Sequence, residues 1–92
     1  MANHKSAIKR AKQSEARRMR NRARKTRMKN AIKDVMEVLS GGPRETVEAR
    51  LKKAISIIDK TASKKVIHSN TASRKISRLT LRVNSILAKQ SS

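Results

Sequence analysis

The chain has no cysteine and no phenylalanine, tyrosine or tryptophan. The first absence excludes disulfides, thiolate catalysis and cysteine-ligated zinc, and it fits a reducing compartment. The second excludes modules that stack bases on aromatic rings, such as the RRM sheet, and leaves arginine guanidinium planes as the main stacking surface. No apolar run approaches the roughly eighteen residues of a membrane span, and the N-terminus lacks the apolar centre of a secretory signal. A soluble protein is expected. The basic start runs without a break into a helical pattern, which disfavours an organelle transit peptide.

Acidic side chains are also scarce, six against 25 lysines and arginines, for a net charge of +19 over 92 residues. Their distribution is zoned. Residues 1–30 hold twelve basic groups opposed only by Glu15, residues 31–62 hold six basic and five acidic groups, and residues 63–92 hold seven basic groups and no acid. A mixed surface would suffice for solubility, so two basic ends flanking a near-neutral middle point instead to a protein that grips a polyanion at both ends. Nucleic acid offers the densest regular array of anions, together with counterions whose release rewards binding.

About twenty-two Ile, Leu, Val and Met side chains are enough for one modest core in one domain. They do not suffice to order the whole chain in isolation, and residues 1–27 are expected to be largely disordered until bound.

The single proline and both glycines fall together in Ser40-Gly41-Gly42-Pro43. That cluster marks one sharp corner, with Gly41 suited to a left-handed C-cap and Pro43 to the first turn of the next helix. Before it, Met28, Ile32, Val35 and Leu39 recur at helical spacing, with Ala31 and Met36 widening the stripe, and good helix formers extend back to about Ser6. After it, Val47, Leu51, Ala54 or Ile55, Ile58 and Ala62 form a second stripe, for a helix from about Pro43 to about Lys65. Val66-Ile67-His68-Ser69-Asn70 interrupts the pattern, with Ser69 or Asn70 suited to cap a third helix. Ile76, Leu79, Val83 and Ile86 define that helix, which ends near Ala88. Nothing alternates with period two. The fold class is therefore all-α: an antiparallel three-helix bundle, with the long first helix projecting beyond it. Residues 1–27 form the basic extension, 28–88 the bundle and 89–92 a tail of a single RNA-binding helical domain.

The candidate binding residues are drawn from the charge. Lys5, Lys9, Arg10, Lys12, Arg17, Arg18, Arg20, Arg22, Arg24, Lys25, Arg27 and Lys29 point in nearly every direction around the first helix. A membrane-surface helix would gather its charges opposite a broad apolar face, which Ile8 and Met19 do not provide. Insertion among several RNA strands accounts better for charge on all sides. On the third helix, Arg74, Arg78 and Arg82 make a row with Lys75 beside it, and Leu81 falls opposite the core as a lone surface residue or a ribose contact. His68, Ser69 and Asn70, next to Lys64 and Lys65, form a polar elbow suited to phosphate oxygens and ribose hydroxyls. His4 is read as incidental.

The acids Glu15, Asp34, Glu37, Glu45, Glu48 and Asp59 are scattered, the histidines are far apart without metal-ligand spacing, and Gly41-Gly42 lacks the surroundings of a phosphate loop. No enzyme activity, metal, cofactor or small-molecule substrate is expected.

Two stretches resemble a known family. Met1-Ala2-Asn3, Lys5-Ser6-Ala7, Lys9-Arg10-Ala11 and Gln13-Ser14-Glu15 ahead of the arginine run are similar to the start of the bacterial small-subunit ribosomal protein twenty. Ile67-His68, Asn70, Ala72, Arg74 and Ser77-Arg78-Leu79 resemble that family's second recurrent stretch. The resemblance covers nearly the whole chain and is weakest over residues 40–62. It implies a three-helix bundle on the cytoplasmic ribosome that binds 16S ribosomal RNA directly, early in assembly, low on the subunit body where the 5′ domain meets the long helix near the RNA 3′ end. Other small-subunit components would be its neighbours, and homo-oligomers are not implied. Lys65 departs from the pattern, since such proteins commonly have glycine there, and this bears on how the second helix ends. Two other classes stay open: a DNA-compacting or basic-region DNA-binding protein, which in dimeric form would show long heptads with paired charges, and a membrane-active cationic peptide.

Overall fold

The computed structural model describes residues 2–91, with side chains described for residues 6–89. Three helices make up the structure: α1 (Ala2–Leu39), α2 (Arg44–Ser63) and α3 (Ser69–Ser91), with no strand among the described residues. The all-α reading holds, and only the helix ends differ from expectation. α1 starts earlier than Ser6 and α3 runs past Ala88, whereas α2 is shorter at both ends than Pro43 to Lys65.

The first corner closes without a left-handed glycine, contrary to the role expected of Gly41, since neither glycine has positive φ. The Val38 carbonyl accepts from the Gly41 N–H at 3.3 Å and the Gly42 N–H at 2.6 Å, and the Ser40 hydroxyl donates to the Glu37 carbonyl at 2.8 Å. The Glu37 and Val38 carbonyls near the end of α1 are thus satisfied locally. Pro43 sits one position outside α2 as its N-cap, extended at φ −62° and ψ 147°, and its carbonyl accepts the Val47 N–H at 3.1 Å. Glu45 lies in the first turn, where a carboxylate favours the helix dipole.

The second corner carries the left-handed residue, and it is Lys65, at φ 60°. The Lys65 N–H donates to the Ala62 carbonyl at 2.9 Å and the Val66 N–H to the Thr61 carbonyl at 3.2 Å. These two bonds form the Schellman ending, whose left-handed position glycine fills at least cost. Helix α2 therefore stops at Ser63 because the chain reverses here.

α2 lies between the other two helices, and α1 and α3 meet over little of their length. The core holds Met28, Ala31, Val35 and Leu39 of α1, Val47, Ala54 and Ile58 of α2, and Ala72, Leu79, Val83 and Leu87 of α3. Alanines on all three faces let the helix axes approach closely. Thr61 is buried too, because its hydroxyl donates to the Ile57 carbonyl at 2.7 Å and so leaves no unpaired polar atom. The exposed Arg44–Glu48 pair at 3.2 Å adds about 0.3–0.5 kcal/mol. Apolar packing, not ion pairing, holds the helices together.

α1 has 38 residues, about 57 Å at 1.5 Å per residue, and Met28 is the first buried position among its described side chains. Its front half projects beyond the packed region. The molecule measures 72 × 22 × 13 Å, with a radius of gyration of 18.4 Å against about 12 Å for a compact chain of this length. Its accessible surface of 7414 Å² likewise exceeds the roughly 5400 Å² of a globular protein of this mass.

Candidate nucleic-acid interface

Every described side chain from Ser6 to Arg20 is exposed. Lys9, Arg10, Lys12, Arg17, Arg18, Arg20, Arg22, Lys25, Arg27 and Lys29 all reach solvent, and only Arg24 is half-buried. The side chains of Lys5 and His4 lie outside the described residues. Ile8 and Met19, 47% and 66% exposed, interrupt the charge without forming an apolar face. The stretch from Ser6 to Arg20 contributes no buried side chain and is rich in cations.

A second feature arises where α1 passes the far end of α2. Arg17, Arg20, Asn21 and Arg24 stand at i, i+3, i+4 and i+7 on one face of α1 and line a cleft whose other wall is Lys64 and Lys65. Next along the seam, Arg24 and Arg27 face Lys60 and Lys64 across Ile57 and Thr61. No acid lines either stretch. Lys64 and Lys65 are candidates on sequence grounds, whereas Asn21 and Lys60 join them only in the structure. Lys60 was accessible as the residue one turn before Lys64, but Asn21 becomes visible only when helix crossing sets its face.

The elbow differs from expectation in its cap. α3 begins at Ser69, so the N-cap is His68, whose Nδ1 accepts the Asn70 N–H at 3.0 Å, and neither Ser69 nor Asn70 serves. An accepting Nδ1 leaves the ring proton on Nε2, which makes that exposed atom a donor. The Ala72 N–H bonds the His68 carbonyl at 3.0 Å. Ser69 and Asn70 are exposed, as are Lys64 and Lys65.

On α3, Arg74, Arg78 and Arg82 are exposed, with Lys75 half-buried beside them. Leu81, 67% exposed, lies on the same outer side. α3 therefore adds exposed cations of its own to those of α1. Among the described residues, no three His, Cys, Asp or Glu side chains come together as a metal site, and no helix is long and apolar enough to cross a membrane.

A small apolar bundle that carries a projecting cationic helix, a basic seam and a basic outer row defines a structural protein that presents positive charge. Known proteins agree with this class. The family model for ribosomal protein S20 matches residues 2–84, and the chain belongs to this family. The small ribosomal subunit protein bS20 of Syntrophobacter fumaroxidans is 63% identical over 86 residues, 94% of this chain and 100% of that protein. The proteins of the same name from Desulfotalea psychrophila and Nitratidesulfovibrio vulgaris are 53% identical over 88 residues and 55% identical over 86. Membership of this family makes the chain a structural, non-enzymatic protein of the small ribosomal subunit.

Proposed function

We propose that the chain binds 16S ribosomal RNA directly, as a monomer, and stabilises the RNA fold during small-subunit assembly. The observation that carries this reading is the front of α1: about 22 Å of helix from Ser6 to Arg20 with every side chain exposed and cations around most of its circumference. Such a rod suits a channel between RNA helices, where phosphates approach from all directions and a polycation lowers their mutual repulsion. Arg74, Arg78 and Arg82 would hold a further strand, with Leu81 against a ribose, and the exposed Nε2–H of His68 would donate to a phosphate or hydroxyl oxygen. These contacts position the protein and do not read sequence.

Crosslinking lysines to RNA in assembled small subunits tests the proposal, together with competition between folded 16S RNA and duplex DNA for the free protein. Crosslinks from Lys9, Lys12, Lys25 and Lys29 should fall on 16S RNA, and folded RNA should out-compete DNA. Preference for DNA would overturn the proposed direct recognition of 16S RNA.

A further inference from the structure

We infer that the cleft between α1 and the α2–α3 corner is a two-walled phosphate site that seats one sharp bend of RNA backbone. The inference rests on the proposal that the chain binds RNA. It adds that Arg17, Arg20 and Arg24 on one wall and Lys64 and Lys65 on the other share the same few phosphates.

Three observations lead to it. First, convergence: elsewhere on α1 the cations diverge around a single cylinder, whereas here one helix face and a chain reversal from another element line a common cleft with only Asn21 among its lining residues uncharged. Second, like charge: these cations have no acid among them, so bringing the walls together in free protein is opposed by their own field. Anions placed between them would turn that opposition into attraction. Third, Lys65 holds the left-handed conformation at φ 60°, where glycine would be cheaper. Such an outlier points to a role for the side chain, and here the lysine puts a cation on the rim of the cleft. Bidentate guanidinium groups facing compact ammonium groups suit closely spaced phosphates, which occur where a strand bends.

A double-mutant cycle on the full chain, with folded 16S RNA as the probe, tests the sharing directly. Arg20→Gln and Lys64→Gln, both at exposed positions, should each weaken binding about 3- to 10-fold, and the double variant should lose little more than the worse single. The control cycle of Arg20→Gln with Arg78→Gln on α3 should multiply. If the cleft pair multiplies like the control, the two walls hold separate phosphates and the inference falls, while RNA binding stands. If the unaltered chain fails to bind RNA, both fall.

A second readout does not depend on loss of affinity. The chain has no cysteine, so an iron chelate tethered at Asn21→Cys or at Ser63→Cys cleaves RNA from one known point. The two tethers should cut the same short RNA segment, and cuts in separate segments would overturn the inference.

Discussion

At the first corner, Gly41 and Gly42 are neighbours with opposite tolerances. A Cβ on Gly42 would lie 2.5 Å from Val38 Cγ1 and 2.7 Å from the Val38 carbonyl oxygen, whereas one on Gly41 would meet nothing within 4 Å. Gly42→Ala should therefore destabilise by about 1–3 kcal/mol. Gly41→Ala, at a position without positive φ, should stabilise by about 0.4–1 kcal/mol through the unfolded chain. Paired denaturant melts check the contrast, and equal effects would mean the corner is looser than described. At Lys65 the sign reverses. Replacing it with glycine relieves about 1–2 kcal/mol of left-handed strain and returns about 0.4–1 kcal/mol to the entropy of the unfolded chain. Lys65→Gly should thus melt a few degrees higher while binding RNA more weakly. A lysine that both strains the fold and lines a cationic cleft predicts this split, and a variant improved in both respects would remove the reason for its side chain.

At the scale of elements, Ile58 is the joint of the assembly. It is fully buried with Met28 of α1 and Ala72 of α3, so one residue from each helix meets there. Ile58→Ala should cost about 2–5 kcal/mol and loosen all three contacts, whereas Leu81→Ala should leave stability unchanged and weaken RNA binding. The front of α1 has no such joint. Its amides from Ser6 to Arg20 should exchange at nearly unfolded rates in free protein and become protected on RNA, and full protection without RNA would show that the rod is stable alone.

The number of helices, both corners and most of the core were legible in the sequence, because Val35, Leu39, Val47, Ile58, Leu79 and Val83 repeat at helical period. Less legible was the exact inward face. Ala31 is more deeply buried than Ile32, and Ala72 and Leu87 outrank Ile76 and Ile86. Where helices approach closely, the residue that points inward is set by the partner helix, which periodicity within one helix does not contain. The same holds for the site. The cationic rod can be counted along the chain, but the meeting of Arg17, Arg20 and Arg24 with Lys64 and Lys65 needs two helices to cross at a particular angle.

Taken whole, the molecule divides its work along its length. The near-neutral middle of the sequence supplies much of the seam that closes the bundle, and the two basic ends supply the surfaces that face outward. An extent of 72 Å lets one small chain touch RNA at places that a compact protein of this size would not span. Charge so arranged opposes compaction in free protein and becomes favourable only beside anions, so binding and ordering should be coupled. The central claim is that phosphates hold this chain in place, and the salt dependence of binding to folded 16S RNA measures it most directly. With roughly eight phosphates neutralised, log K should fall against log salt with a slope of about −6 to −7. A slope near −1 would contradict the account, because so few displaced counterions could not come from a rod of cations lying among RNA strands.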